Sequence, residues 1–140
     1  MIGTTVRFQA SDSKHVLEID DDGRVGYAYL INDRGNICGD VWLYNRCQAP
    51  HHPEWDDPSR APFANPSDYV RSSIMFSFPN SSADIAVDWY LHGDRCLARI
   101  FINRTLVAVI ENGVKPGWAL LAKKDGPLAK ILNGDSFTDA

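Results

Sequence analysis

The chain has 140 residues, of which 44% are hydrophobic and 23% are charged, the composition of one ordinary folded domain. Its net charge of −4 and its scattered lysines and arginines argue against nucleic acid as a partner and favour a basic protein. The sequence shows neither a secretory signal nor an apolar run long enough to cross a membrane, so we expect a cytoplasmic protein without a membrane partner. Three cysteines without close spacing predict free thiols.

Residues of alternating polarity, separated by turn sequences, predict an antiparallel series of β-strands. The first is typical, because Thr4, Val6 and Phe8 alternate with polar neighbours. Gly23 and Gly93 each stand in a short turn between two such segments, as in β-hairpins. The pattern predicts strands at residues 4–10, 15–20, 25–31, 37–45, 73–78, 84–91, 95–102 and 105–111.

The period of the apolar residues changes near the C-terminus. Trp118, Leu121 and Leu128 fit one or two short helical turns within residues 118–132. We therefore expect a single mainly β (α+β) domain over residues 1–132, with a frayed tail at 133–140. The predicted fold is an antiparallel meander that forms a β-sandwich or a partly open barrel with a short C-terminal helix.

Residues 46–70 form a long loop that contains five of the eight prolines. Such a loop in a compact domain is usually functional, and its prolines stiffen it before any partner binds. Aromatic anchors rimmed by charged residues are typical of protein-binding patches. The loop predicts a partner-binding site, with an alternative in which two of its aromatic residues fold back over an open end of the sheet. The residues are Glu54, Trp55, Asp56, Asp57, Arg60, Phe63 and Tyr69.

The same loop contains potential zinc ligands. All the common zinc ligand types occur within residues 47–56: Cys47, His51, His52, Glu54 and Asp56. Such a set would suit a zinc-dependent hydrolase. Against this interpretation, adjacent histidines point in different directions, and Pro50 and Pro53 on either side of them stiffen the segment. We therefore predict no metal and keep the zinc enzyme as an alternative.

Other catalytic arrangements are not indicated. The sequence contains no nucleophile motif and no glycine-rich phosphate loop, so we predict no catalytic residues and no cofactor. Four acids on predicted strands could line a cleft: Glu18, Asp40, Asp84 and Asp88.

Aromatic residues recur along the predicted strands. Tyr27, Tyr29, Trp42 and Trp89 could line a groove, although packing in the core would explain them as well. A small-molecule or carbohydrate-binding β-domain is therefore a second hypothesis.

Three segments carry a family resemblance: VWLYN at residues 41–45, KPGW at 115–118 and KDGPLA at 124–129. With its small size and acidic character, the chain resembles the immunity proteins with which bacteria neutralise polymorphic or secreted toxins. The resemblance covers most of the chain and implies a protein that acts by binding. It implies that the acidic loop Glu54 to Asp57 occludes a cognate toxin domain with a basic surface. Such an inhibitor is the leading hypothesis.

Overall fold

The computed structural model of the chain describes residues 3–12, 14–72, 74 and 76–133. Within them the protein is mainly β, as expected, and three single turns of 3₁₀-helix are its helical elements: Pro58–Arg60, Ser67–Tyr69 and Ser82–Asp84. No helix in this part of the chain is long and apolar enough to span a membrane. The strands are β1 (Thr4–Gln9), β2 (Val16–Asp21), β3 (Val25–Ile31), β4 (Ile37–Asn45), β5 (Ile85–His92), β6 (Arg95–Ile102), β7 (Thr105–Glu111), β8 (Trp118–Ala119) and β9 (Lys130–Ile131).

The strands form two sheets, neither of which closes into a barrel. The first contains β1 to β4 and the second β5 to β9, each in chain order. Neighbouring strands are antiparallel except β8 and β9, which are parallel. Gly23 and Gly93, with φ of 86° and 58°, adopt the left-handed conformation that the tight turns before β3 and β6 require. Seven of the eight predicted strands are confirmed.

One hydrophobic core contains side chains from both sheets. Leu17, Ala28 and Val41 of the first sheet belong to the same buried cluster as Ile100 and Ile110 of the second. The sheets meet along β4, where the backbone N–H of Gly113 donates to Cys38 and that of Gly117 donates to Asp40, each at 2.7 Å. These bonds tie the chain after β7 to the edge of the first sheet.

The opposite face of the first sheet is polar and aromatic. The strand register aligns Glu18 with Tyr29 and Asp40 in one row across β2, β3 and β4. A second row aligns Asp20 with Tyr27 and Trp42. Because side chains alternate along a strand, both rows project from the face opposite Leu17, Ala28 and Val41. We call this the outer face. Tyr27 and Trp42 are nevertheless buried there and belong to the same hydrophobic cluster.

The predicted C-terminal helix is not formed. Trp118 and Ala119 pair with β7 and β9 instead, and the backbone N–H groups of Leu120 and Leu132 donate to Val107 and Ala119, respectively. The helical spacing of the apolar residues was misleading, because the free edge of β7 offers this segment a ladder of backbone hydrogen bonds. The tail expected at 133–140 lies, beyond Asn133, outside the described residues.

The strand predicted at 73–78 is also not formed where the structure describes it. Ser73 and Met75 lie outside the described residues, and Ile74 and Phe76 to Phe78 have no strand pairing. Phe76 and Phe78 instead pack on Tyr44, with ring centroids 5.7 and 5.2 Å from the Tyr44 ring. Their alternation reflects packing of two rings on one neighbour rather than a ladder of backbone bonds.

The proline-rich loop, residues 46–70, is fixed to the first sheet by polar contacts. Glu54 is 6% exposed, pairs with Arg24 of the β2–β3 turn and accepts the backbone N–H of Ala64 at 2.9 Å. Asn45 at the end of β4 exchanges two hydrogen bonds with the backbone of Asn65, at 2.8 and 2.9 Å. The loop is therefore part of the folded structure.

Replacing Glu54 by alanine should lower the free energy of unfolding by about 2 to 3 kcal/mol. Arg24 would lose its partner and the buried N–H of Ala64 its acceptor. Urea unfolding followed by tryptophan emission measures the change. Asp56→Ala is the matched control, because Asp56 is exposed and its loss should change the stability by less than about 0.5 kcal/mol. Equal effects of the two substitutions would show that the Glu54 carboxylate does not hold the loop.

Candidate functional site

A cleft of about 310 Å³ lies between the proline-rich loop and the outer face of the first sheet. The sheet contributes Tyr27, Tyr29 and Asp40, and the loop contributes two further aromatic rings. Pro127 and Leu128 close one side from the C-terminal segment. We call it the aromatic cleft. Its complete lining is Tyr27, Tyr29, Asp40, Trp55, Ala61, Pro62, Phe63, Pro127 and Leu128.

The aromatic rings of the cleft are held by packing. Tyr27 and Tyr29 are stacked, with centroids 5.8 Å apart and planes at 16°. Trp55 makes an edge contact with Tyr69 at 5.4 Å, and Lys124 Nζ lies 4.4 Å from the centre of the Tyr69 ring. A Cβ atom at Gly126 would lie 2.6 Å from the Tyr69 ring, so only glycine fits there. Tyr69 thus acts as the support that orients Trp55.

Tyr27 is the least ordinary residue of the cleft. It is 7% exposed, and its buried hydroxyl has no hydrogen-bond partner. A buried hydroxyl without a partner costs about 1 to 3 kcal/mol, so folded proteins rarely retain one. Burial, with the charges of Asp40 and Glu54 nearby, raises the pKa of Tyr27 far above its usual value. The hydroxyl is therefore a neutral group without a partner in the wall of the cleft.

Asp40 places a carboxylate at the edge of the same cleft, as its position on a predicted strand allowed. It is half-buried, and among the described residues no side chain hydrogen-bonds to it or forms an ion pair with it. Burial raises the pKa of the Asp40 carboxyl, and the nearby charge of Lys115 opposes that shift. Folding therefore disfavours the ionised form of Asp40, because the effect of burial exceeds the opposing effect of the Lys115 charge.

A second recess adjoins the cleft at Tyr29 and Pro62. It has a volume of about 290 Å³. Its other lining includes Asp20, Asp21 and Asp22. We call this recess the acidic groove. Aromatic rings therefore line one of two adjoining recesses, and carboxylates line the other; we call the two together the depression.

The structure divides the predicted partner-binding residues between the two sides of the loop. Trp55 and Phe63 face the aromatic cleft and pack against the core, over a face of the first sheet and not over an open end of it. Asp56, Asp57 and Arg60 are exposed and line a cleft of about 460 Å³ on the other side of the loop. Tyr69 packs against the Trp55 ring in an edge contact. Both surfaces belong to one anchored segment.

Glu54 is the clearest correction within this set. The expected exposed acid is buried, and its two carboxylate oxygens contact Arg24 and the Ala64 N–H. Because both oxygens have protein partners, the side chain holds the loop in place and is not free to meet a partner protein. The exposed acidic charge of this segment comes from Asp56 and Asp57 instead.

The candidate zinc ligands do not come together. His51 and His52 are exposed and line the cleft of about 460 Å³ that Asp56 and Asp57 also line. Cys47 is half-buried beside the β2–β3 turn, and its backbone N–H donates to the Arg24 carbonyl at 3.1 Å. No three His, Cys, Asp or Glu side chains in the described part of the chain lie close enough to bind a metal ion. The cluster in the sequence is therefore not a cluster in space.

The aromatic residues of the small-molecule hypothesis separate as well. Tyr27 and Tyr29 line the cleft, but Trp42 is completely buried and donates its indole N–H to Asn45 at 2.9 Å. Trp89 lies on β5, away from the cleft lining. Sequence reasoning did not identify Asp20, Pro62 or Leu128 as site residues. Strand alternation could have placed Asp20 on the face of Tyr27, but no sequence signal marked the other two.

Comparison with known proteins identifies no relative of this chain. It matches no protein-family model, and neither a curated protein nor a solved structure matches it. Any function must therefore be argued from the site itself.

Two tyrosine substitutions should change stability in opposite directions. Tyr27→Phe removes a hydroxyl without a partner and should raise the free energy of unfolding by about 1 kcal/mol. Tyr44→Phe, the matched control, removes a donor 2.7 Å from the buried Asp21 carboxylate and should lower it by about 2 kcal/mol. Urea unfolding of both variants measures the difference. Destabilisation by both would mean that the Tyr27 hydroxyl is hydrogen-bonded in solution.

Proposed function

We propose that the protein is a ligand-binding β-domain whose site is the aromatic cleft. The observation that carries this proposal is the Tyr27 hydroxyl, which is buried without a partner in a cleft lined by four aromatic rings. Binding sites commonly combine an apolar aromatic lining with a few polar groups that fix the ligand's orientation. Tyr27 and Asp40 are those polar groups here.

The dimensions of the cleft limit the ligand. Its volume of about 310 Å³ is at the small end of the range for small-molecule sites, roughly 300 to 1,000 Å³. A single ring or a short linear chain fits this volume, with the flat faces of Tyr29 and Trp55 available for contact. The ligand is a small molecule or one protruding group of a larger molecule.

Binding without catalysis suits the chemistry of the cleft. Burial raises the pKa of Tyr29 to about 12, with smaller contributions from nearby carboxylates, so at neutral pH it is a hydrogen-bonding group and not a base. Asp40 is the one carboxylate in the lining. General acid–base work normally pairs two groups whose pKa values are shifted apart, and the cleft offers one acid beside two neutral phenols.

Trp55 offers a direct test of this function. A ligand in the cleft should change the emission of Trp55 saturably, because that indole forms part of the wall. A panel of sugars, nucleosides, amino acids and aliphatic amines is titrated into the protein. The signal should disappear in Trp55→Phe and persist in Trp118→Phe, a matched control on β8 outside the lining. An undiminished signal in Trp55→Phe would place the ligand elsewhere.

A second function is favoured by the other side of the loop. Asp56 and Asp57 are exposed on a segment that Glu54 anchors, and Asp57 caps the following helical turn by accepting the Ser59 N–H at 3.1 Å. A fixed acidic surface suits a basic protein partner, because little entropy is lost on binding. We therefore also propose an inhibitor of the immunity type, acting in the bacterial cytoplasm on a toxin domain with a basic surface.

Charge reversal tests this second function. If Asp56 and Asp57 steer a basic partner, the double variant Asp56→Lys with Asp57→Lys should lose a stoichiometric partner that the unmodified protein captures from host lysate. Asp33→Lys with Asp94→Lys is the matched control, because both acids are exposed in turns away from the loop. Retention of the partner by both double variants would exclude the acidic loop as the interface.

A further inference from the structure

Two buried side-chain atoms of the described residues have no hydrogen-bond partner, and both belong to one depression. Tyr27 Oη lies in the aromatic cleft, and Asp20 Oδ1 belongs to a residue that lines the acidic groove. Tyr29 and Pro62 line both recesses. A buried polar atom without a partner is uncommon, so two in adjoining recesses point to a ligand that contacts both.

The charge along this depression is negative. Asp40 stands at one end, and Asp20 and Asp22 stand at the other. No cation of the described residues forms an ion pair with these acids, although the charges of Arg7 and Lys115 oppose the rise that burial causes in the pKa values of Asp20 and Asp40. Arg7 Nη2 pairs with Glu18 at 2.9 Å, and Lys115 is exposed without an ion pair to Asp40 among the described residues. A cationic group entering the depression would thus meet carboxylates that lack an ionic partner.

The strand register sets the distance between the two ends. Asp40 is on β4 and Asp20 is on β2, so β3 with Tyr27 and Tyr29 lies between them. Adjacent strands are about 4.8 Å apart, and the rows of Asp40 and Asp20 are offset by two residues, about 7 Å, along the strands. The Cα atoms of the two acids are therefore separated by roughly 12 Å. A linear molecule of moderate length can span this distance across the tyrosine rings.

We propose that the aromatic cleft and the acidic groove together bind a linear ligand with two cationic N–H groups, one beside Tyr27 and Asp40 and the other beside Asp20. The inference rests on the ligand-binding function proposed above and names the class of its ligand. The apolar middle of such a ligand lies against the stacked rings of Tyr27 and Tyr29.

Protonated amines fit these groups better than neutral ligands do. An ammonium donates to the Tyr27 hydroxyl and to a carboxylate at once, and it is attracted to the faces of aromatic rings. A sugar hydroxyl could satisfy the hydrogen bonds but would leave the charges of Asp40 and Asp20 without compensation. The same dication could be a free diamine or two lysine side chains of a protein.

Calorimetric titration with α,ω-diamines of increasing length tests the inference. The diamine of octane should bind at least tenfold more tightly than that of propane, which is too short to reach both ends. Octylamine and octane-1,8-diol, of similar length with one charge and none, should each bind at least tenfold more weakly than the octane diamine. Equal binding of octylamine would overturn the two-point contact, and equal binding of the diol would overturn the role of charge.

Variants identify the groups involved. Asp40→Asn and Asp20→Asn should each weaken binding of the octane diamine at least tenfold, while Asp33→Asn, which removes the same charge from an exposed turn, should not. Folding disfavours the ionised Asp40, because burial raises its pKa. Asp40→Asn should therefore unfold no more easily than the original protein at pH 7, so lost binding would not reflect lost folding. Unchanged affinity in both site variants would refute the assignment.

Two further comparisons identify the ligand's source and separate the proposals. The peptide Lys-Gly-Lys, blocked at both ends, presents two ammonium groups on a backbone. If it binds tenfold more tightly than the octane diamine, the two cations belong to a protein. If it binds more weakly, they belong to a free amine. If diamines fail but a neutral ligand alters Trp55 emission, the dication inference falls and the ligand-binding function stands. If no probe changes that emission, both fall.

Discussion

The buried carboxylate of Glu54 is the interaction on which the binding face depends. It joins the proline-rich loop to Arg24, and the Arg24 carbonyl in turn accepts the N–H groups of Arg46 and Cys47 at 2.8 and 3.1 Å. The β2–β3 turn, the end of β4 and the loop therefore meet at one point. Ordering each loop residue costs about 1 to 2 kcal/mol of backbone entropy, and fixed contacts of this kind offset it. Without this anchor, the loop would depend on the Asn45–Asn65 hydrogen bonds and on ring packing, so Trp55 and Phe63 would be held less firmly over the sheet.

The binding face retains groups that oppose folding. The Tyr27 hydroxyl and Asp20 Oδ1 are buried without partners, and burial disfavours the ionised form of Asp40. The adjacent Asp21 differs, because its carboxylate accepts from Tyr44 and Arg46 at 2.7 Å and from the Gly23 N–H at 2.9 Å. Binding sites typically contain buried polar groups that lower the stability of the fold because they lack a hydrogen-bond partner, and the ligand supplies that partner. The contrast between Asp21 and its neighbour Asp20 is thus an argument for function.

Sequence patterns correctly predicted the strands, whose positions depend on neighbouring residues. They failed for features that depend on contacts between residues far apart in the chain. Alternation and turn glycines located seven strands, because side-chain direction and turn geometry are local properties. Phe76 and Phe78 imitate a strand but pack on Tyr44, more than 30 positions earlier in the chain. Glu54 was expected at the surface, as acids usually are, and its partner Arg24 is 30 residues away. Alternation places Tyr27, Tyr29 and Asp40 on one face, but only the fold shows that the loop covers that face.

The sheet and the loop contribute different properties to the site. The charges and the hydroxyl come from strand residues, whose positions the backbone ladder fixes: Tyr27 and Tyr29 on β3, Asp40 on β4 and Asp20 on β2. The walls come from Trp55, Pro62 and Phe63, which depend on the anchored loop. Rigid elements hold polar groups more precisely than loops do, and hydrogen bonding tolerates less displacement than apolar contact. The sheet therefore determines which polar or charged group of the ligand is recognised. The loop determines the size and shape of the ligand's apolar part. A change in the loop can alter the ligand's bulk without altering its charge, so the two aspects of specificity are separable in this fold.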